Sequence, residues 1–238
     1  MFLNYKKGIF NSKEGKNFLE LVLLFAVFFL PSYLSQRSDI DATLFGNIVF
    51  HINYILLSFP QIFLLLYIIK RIHTDDFSEY GITGFKISVF IPSLLTFVGT
   101  YGVLLFLFFS VSIFTGKARE ILINPVNWKI EDPRIFPLIF LTCIVAGYRE
   151  ELFFRAYLIT NFKRSGLNTY YAVTISVVLF SMGHLYQGVV GFWGTALIGL
   201  YFSLIFLRCR NVHIIAIAHG LYNFTTLLLI YFYGVMAS

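Results

Sequence analysis

Four charged side chains, Arg149, Glu150, Glu151 and Arg155, sit inside the otherwise apolar run 135–160. Each uncompensated charge in a membrane span costs about 2.5–3.5 kcal/mol on insertion scales, so a span keeps such groups only where they have partners or a function. On a helix turning by about 100° per residue, Glu151 and Arg155 share one face with the acid N-terminal to the base, the favourable sense for an i, i+4 pair. Glu150 then points about 100° away from that pair and is free for another task.

The surroundings of this run are those of a membrane protein. With 238 residues, 58% of them hydrophobic, 13% charged and 29 of them Phe, the chain has a mean hydropathy of +0.78, too apolar for a soluble domain. Apolar runs at 18–34, 44–69, 87–114, 135–160, 169–185, 189–207 and 214–235 predict an all-α, polytopic transmembrane helix bundle of about seven spans. Residues 1–134 hold spans one to three and a connector, and residues 135–238 form the core of what is one integral membrane domain overall. Lys6, Lys7, Lys13 and Lys16 precede the first run in the manner of a signal peptide. The run ends on Pro31-Ser32-Tyr33-Leu34-Ser35 with no A-x-A site, which predicts a retained first helix.

The net charge of +6 raises nucleic acid as a partner, but the basic residues lie in short loops, with no contiguous basic face and no nucleic-acid motif. They read instead as topology signals and contacts for anionic lipid. With seven spans, one side of the membrane collects eleven Lys and Arg and the other five, so the positive-inside rule predicts a cell (inner) membrane protein with a cytoplasmic N-terminus and an external C-terminus. Cys143 and Cys209 are far apart without a CxxC or zinc spacing, and read as buried free thiols. His51 and Asn53 in the second run read as hydrogen-bonded packing residues. Asp75, Asp76 and Glu79 read as a solvated acidic turn, too poor in oxygen ligands for a divalent cation. The connector at 115–134, with Asn124-Pro125, Trp128 and Asp132-Pro133, is expected at the membrane interface.

Two more polar groups occur in the C-terminal runs: Phe180-Ser-Met-Gly-His184 in the fifth, and His219-Gly-Leu-Tyr-Asn223 in the seventh, where i, i+4 spacing sets His219 and Asn223 on one face. Counted from the turn at Gly166, Glu150 and His184 come level to within a helical turn on antiparallel helices. His219 would lie roughly 12 Å deep and Glu150 roughly 24 Å from its turn, so all four groups meet only if the hairpin around 161–166 projects beyond the bilayer. Taken singly, each has a structural reading, as a packing hydrogen-bonder or a neutralised bridge. Taken together, a carboxylate, two imidazoles and a carboxamide on three helices supply a general base, a proton partner and oxyanion donors, the minimum for adding water to a peptide carbonyl.

Glu150-Glu151-x-x-x-Arg155, Phe180-x-x-x-His184 and His219-x-x-x-Asn223, in that order on successive helices, resemble the three motifs of the CAAX-protease and bacteriocin-processing (CPBP, also called Abi) family of glutamate-type intramembrane endopeptidases. The resemblance spans roughly residues 136–229. Ala156 follows the arginine where glycine is common, and Arg149 adds a cation just before the acids, leaving open which arginine pairs with which carboxylate. The resemblance implies that Glu150 and His184 activate a water, that His219 and Asn223 stabilise the oxyanion, and that Glu151 and Arg155, with Phe180 of the second motif, hold the site together. It implies as partners the lipid bilayer and a membrane-associated peptide or protein substrate; the missing HExxH spacing and the arginines beside the acids predict no metal, and no cofactor is expected. Prenylated CaaX ends are the implied substrates in eukaryotes; in bacteria they are peptide precursors, bacteriocin-related peptides or membrane-anchored C-terminal signals.

Two alternatives compete with this reading. A zinc-dependent membrane peptidase would use Glu150, Glu151, His184 and His219 as ligands, but the HExxH helix is absent and Arg155 beside the acids disfavours a dication. A non-catalytic immunity or scaffold protein would keep the fold without activating water.

Overall fold

Each apolar run becomes helix, and the pattern of burial is that of a protein facing lipid. The structure is a computed structural model describing residues 13–34, 43–73, 76–115 and 129–237. Lys6, Lys7, Ser35, Asp75, Asn124, Pro125 and Trp128, named above, lie outside the described residues. In chain order the helices are α1 (Lys13–Phe28), α2 (Leu30–Leu34), α3 (Ile48–Tyr67), α4 (Phe90–Thr115), α5 (Phe136–Glu151), α6 (Thr169–Met182), α7 (Gly188–Cys209) and α8 (Val212–Ala237), with no strand among the described residues. Four helical stretches, Ile48–Ile72, Ile87–Phe114, Leu185–Cys209 and Val212–Gly234, are long and apolar enough to cross a membrane. Asn17–Phe28 and Thr169–Met182 are apolar but shorter, and the helix carrying the four charges is long but not apolar throughout.

Sequence chemistry sets the helix ends. Asn47, Asn168 and Asn211 accept hydrogen bonds from the backbone N–H groups of Val49, Tyr170 and His213, satisfying donors that open helix starts leave free. Asp132 does the same for Arg134 ahead of α5; the Arg134 guanidinium also donates to it and holds this exposed carboxyl below the usual aspartate range. Pro60 lies inside α3, and Pro92 falls in the first turn of α4, where a missing N–H costs little. Gly166, at φ 86°, makes the tight turn between the charged hairpin and α6.

On α4, Ser93, Thr96 and Thr100 are buried while Leu95 on the opposite side is 68% exposed. The small hydroxyls turn inward and bond the carbonyls of Val89, Pro92 and Thr96, so the inward face stays narrow and its polar atoms satisfied. Outward, large apolar side chains meet acyl chains. His51 is buried and hydrogen-bonded to Thr142 Oγ1 (3.1 Å) and the Phe45 carbonyl (2.9 Å), the packing role its sequence suggests. Asn53 is exposed instead, because it sits two residues on from His51 and so on the outward side of the helix. Cys143 is buried, but Cys209 is exposed, being the last residue of α7 between Arg208 and Arg210. The acidic turn is not merely solvated: Asp76 caps the 3₁₀ turn Phe77–Tyr80, and Glu79 pairs with Arg164 and, through its carbonyl, with Arg210. Three loops therefore meet at one end of the bundle.

Candidate active site

Two glycines bring the motif helices together. A Cβ on Gly147 of α5 would lie 2.4 Å from the Ala216 carbonyl oxygen of α8, and one on Gly220 would lie 2.9 Å from Ile144 Cα. The two backbones are thus in direct contact, the close approach that small residues permit between membrane helices. This crossing sets His219, the neighbour of Gly220, against the acids that follow Gly147. A third glycine, Gly199 of α7, leaves room for the guanidinium: a Cβ there would stand 3.0 Å from Arg155 Nη2 and 3.1 Å from Phe180 Cδ1.

The α-helical register stops at the acids. From Leu152 to Ile159 the helix widens to π geometry, then returns to α geometry at Thr160–Arg164. Such wide turns are rare and recur at functional sites. Constant 100° steps predict no such change, yet Glu151 and Arg155 still pair: Arg155 Nη1 donates to Glu151 Oε1 at 3.0 Å, with both side chains 0% exposed. His219 Nδ1 donates to the same oxygen at 2.7 Å. Arg155 Nη2 donates to the Gly199 carbonyl at 3.3 Å, and its guanidinium carbon stands 4.2 Å from the Phe180 ring centre, a cation–π contact that fixes the plane of the group. Phe180 also packs edge-on against His219, 5.9 Å between ring centres. The second motif's phenylalanine therefore supports both the arginine and the imidazole.

Glu150 is placed differently. Its side chain is 18% exposed, and its Oε2 stands 3.8 Å from His219 Nε2, too far for a hydrogen bond. His184 lies within electrostatic reach of Glu150, Arg155 and His219. The apolar run predicts helix through Leu185, but α6 ends at Met182 and His184 occupies the turn beyond, at φ −115° and ψ 13°. The break falls at Gly183, a weak helix former, whose missing Cβ leaves space for the Tyr33 ring. His184 Nδ1 donates to the Phe180 carbonyl at 3.1 Å, which leaves Nε2 as the nitrogen with the free lone pair. Asn223, one turn beyond His219 on α8, is partly exposed, and its side chain makes no hydrogen bond among the described residues.

Arg149 does not compete for the acids. Its Nε donates to Gln61 Oε1, Nη1 to the Tyr54 hydroxyl (3.2 Å) and Nη2 to the Phe28 carbonyl, and the guanidinium lies 4.6 Å from the centre of the Phe29 ring. The extra cation thus ties α1 and α3 to the motif helix. Sequence reasoning passes over Tyr33, Tyr54, Gln61 and the glycines. The signal for the glycines is present, since Gly183 and Gly220 flank the two histidines and Gly147 lies one turn before the acids. Among the described residues no three His, Cys, Asp or Glu side chains gather as a metal-binding set.

Comparison with known proteins adds a family. A family model described as type II CAAX prenyl endopeptidase, Rce1-like, matches residues 132–225. No curated protein and no solved structure matches the chain. The matched segment contains all three motifs, in agreement with the resemblance read from them, whereas Tyr33, Tyr54 and Gln61 reach the cluster from outside it. On its motifs and on this match, the segment 132–225 is similar to the Rce1-like, CAAX-type family of membrane endopeptidases.

Proposed function

We propose that this protein is an intramembrane endopeptidase that hydrolyses a peptide bond near the membrane in a membrane-associated peptide or protein, with water activated by Glu150. The observation that carries the reading is the unequal state of two adjacent carboxylates. Glu151 is fully buried and accepts from both Arg155 and His219, while Glu150 is partly exposed and faces His219 across 3.8 Å. A general base needs a free lone pair that water can reach: Glu150 is partly exposed, whereas the one free oxygen of Glu151, Oε2, is buried.

In this reading Glu150, with His184 beside it, takes a proton from water as the water oxygen bonds to the scissile carbonyl carbon. The carbonyl π pair moves onto oxygen. His219 and Asn223 face that oxyanion. Because Nδ1–H of His219 is committed to Glu151, Nε2 is the ring nitrogen that faces the oxyanion. When the tetrahedral intermediate collapses, the C–N bond breaks and the leaving nitrogen takes the proton that Glu150 removed. Arg155 neutralises Glu151 and keeps the buried pair tolerable. None of these steps uses a metal ion.

The family description makes a prenylated peptide with a CAAX end the first substrate to try, beside an unprenylated membrane-anchored peptide. The purified full chain in lipid nanodiscs is expected to cleave one of them, and to do so undiminished in EDTA or 1,10-phenanthroline. Loss of activity on chelation, restored by zinc, would replace this mechanism with a metallopeptidase. Seven spans with a cytoplasmic N-terminus are part of the same proposal; reporter fusions at Ser165 and Ser238 should report opposite sides of the membrane, the first cytoplasmic.

A further inference from the structure

The fragment that matches the endopeptidase family omits a residue that closes the turn before His184. Tyr33 stands on α2, and its hydroxyl donates to the Leu179 carbonyl at 2.6 Å. Its ring occupies the space a side chain at Gly183 would need: a Cβ there would stand 2.7 Å from Tyr33 Cε1 and 3.0 Å from its Cζ and hydroxyl. The last carbonyls of a helix have no partner within it, and in a membrane they find no water to replace one. At the end of α6 the Leu179 carbonyl accepts from the Tyr33 hydroxyl, while the Phe180 carbonyl accepts from the Gly183 N–H (3.2 Å) as well as from His184 Nδ1. Glu150, Arg149 and Arg155 all lie within electrostatic reach of the Tyr33 hydroxyl. Phe25 packs edge-on against the same ring, 5.4 Å between centres, and anchors it to α1.

We propose that Tyr33 is a positioning residue for the peptidase reaction: by ending α6 at Met182 and filling the space over Gly183, it fixes the imidazole of His184 against Glu150. This rests on the endopeptidase reading above. The same geometry explains why glycine stands before the histidine, since any larger residue would displace the ring that ends the helix.

The test uses the full chain in nanodiscs with the prenylated and membrane-anchored peptides named above, together with NMR of ¹³C,¹⁵N-histidine-labelled protein in which the His184 signal is assigned by His184→Gln. Tyr33→Phe keeps the ring and loses only the hydroxyl. It is expected to lower kcat on the order of tenfold, the size of one lost hydrogen bond, with KM unchanged and the pH profile of kcat displaced. The His184 signals should move while those of His51, held at the far side of α5, stay in place. Gly183→Ala should act in the same direction and more strongly. An active parent whose Tyr33→Phe variant keeps kcat and pH profile, with His184 signals unmoved, overturns the proposal. A parent that cleaves neither peptide while Tyr33→Phe still moves His184 counts against the endopeptidase reading and supports the contact itself.

Discussion

Two polar clusters lie in this bundle, and they differ in what their members have left to offer. At the loop end, Glu20 is bonded to both His73 (2.9 Å) and the Tyr157 hydroxyl, and the Tyr80 hydroxyl sits among His73 Nδ1, Asn161 Oδ1 and Arg164 Nη1 at 3.1, 3.2 and 2.9 Å. Arg164 goes on to Glu79, whose carbonyl takes Arg210. Each group there is used to join helices. At the motif end, Glu151 Oε2 and Arg155 Nε are buried without a partner, the Asn223 side chain bonds nothing among the described residues, and Glu150 stops short of His219. Buried polar atoms are nearly always satisfied, so charged groups left without partners stand out, and under the proposed function they are the ones that meet water and substrate. Both clusters hold carboxylates, histidine and arginine. Composition does not separate them; the leftover capacity of the charged groups does, because away from the motif cluster the buried atoms without a partner are the hydroxyls of Thr83, Thr160 and Ser165.

The comparison breaks most readily at its ion pairs. Glu151→Gln leaves Arg155 buried against a neutral amide and is expected to cost about 3–5 kcal/mol of stability, the range for one partner lost from a buried pair, together with all activity. Thermal unfolding in detergent measures it. Next in size, Asn223→Ala should leave stability unchanged and lower kcat on the order of 100- to 1000-fold, as for one oxyanion donor, read in the peptide assay. Smallest is Glu79→Gln at the loop end, where the pair is exposed (Arg164 32%, Glu79 55%): a loss of about 0–1 kcal/mol and full activity are expected, and a dead enzyme would show that the loop cluster also serves the reaction.

Much of this was legible in the residues. Seven apolar runs become helices because hydrocarbon leaves the backbone no other partner than itself, and i, i+4 spacing is enough to pair Glu151 with Arg155. Chain order and depth brought Glu150 level with His184, but set His219 at another depth unless the hairpin around 161–166 projects beyond the bilayer; the approach of His219 to within 3.8 Å of Glu150 was not readable. The wide turn after Glu151 and the end of α6 before His184 depend on tertiary contacts: Gly147 against Ala216, and Tyr33 over Gly183. Periodicity is a property of one helix at a time, and these contacts join residues up to 150 positions apart along the sequence. Arg149 shows the same limit. Its sequence neighbours suggest an ion pair, but its partners come from α1 and α3.

The central claim is that the uncommitted carboxylate, and not its buried neighbour, takes the proton from water. Glu150→Gln tests it most directly, with cleavage and thermal stability measured on the same preparation. The account predicts a protein as stable as the parent that binds substrate and does not cleave it. Cleavage at near the parental rate, with Glu151→Gln stable and inactive, would contradict it and assign the base to Glu151.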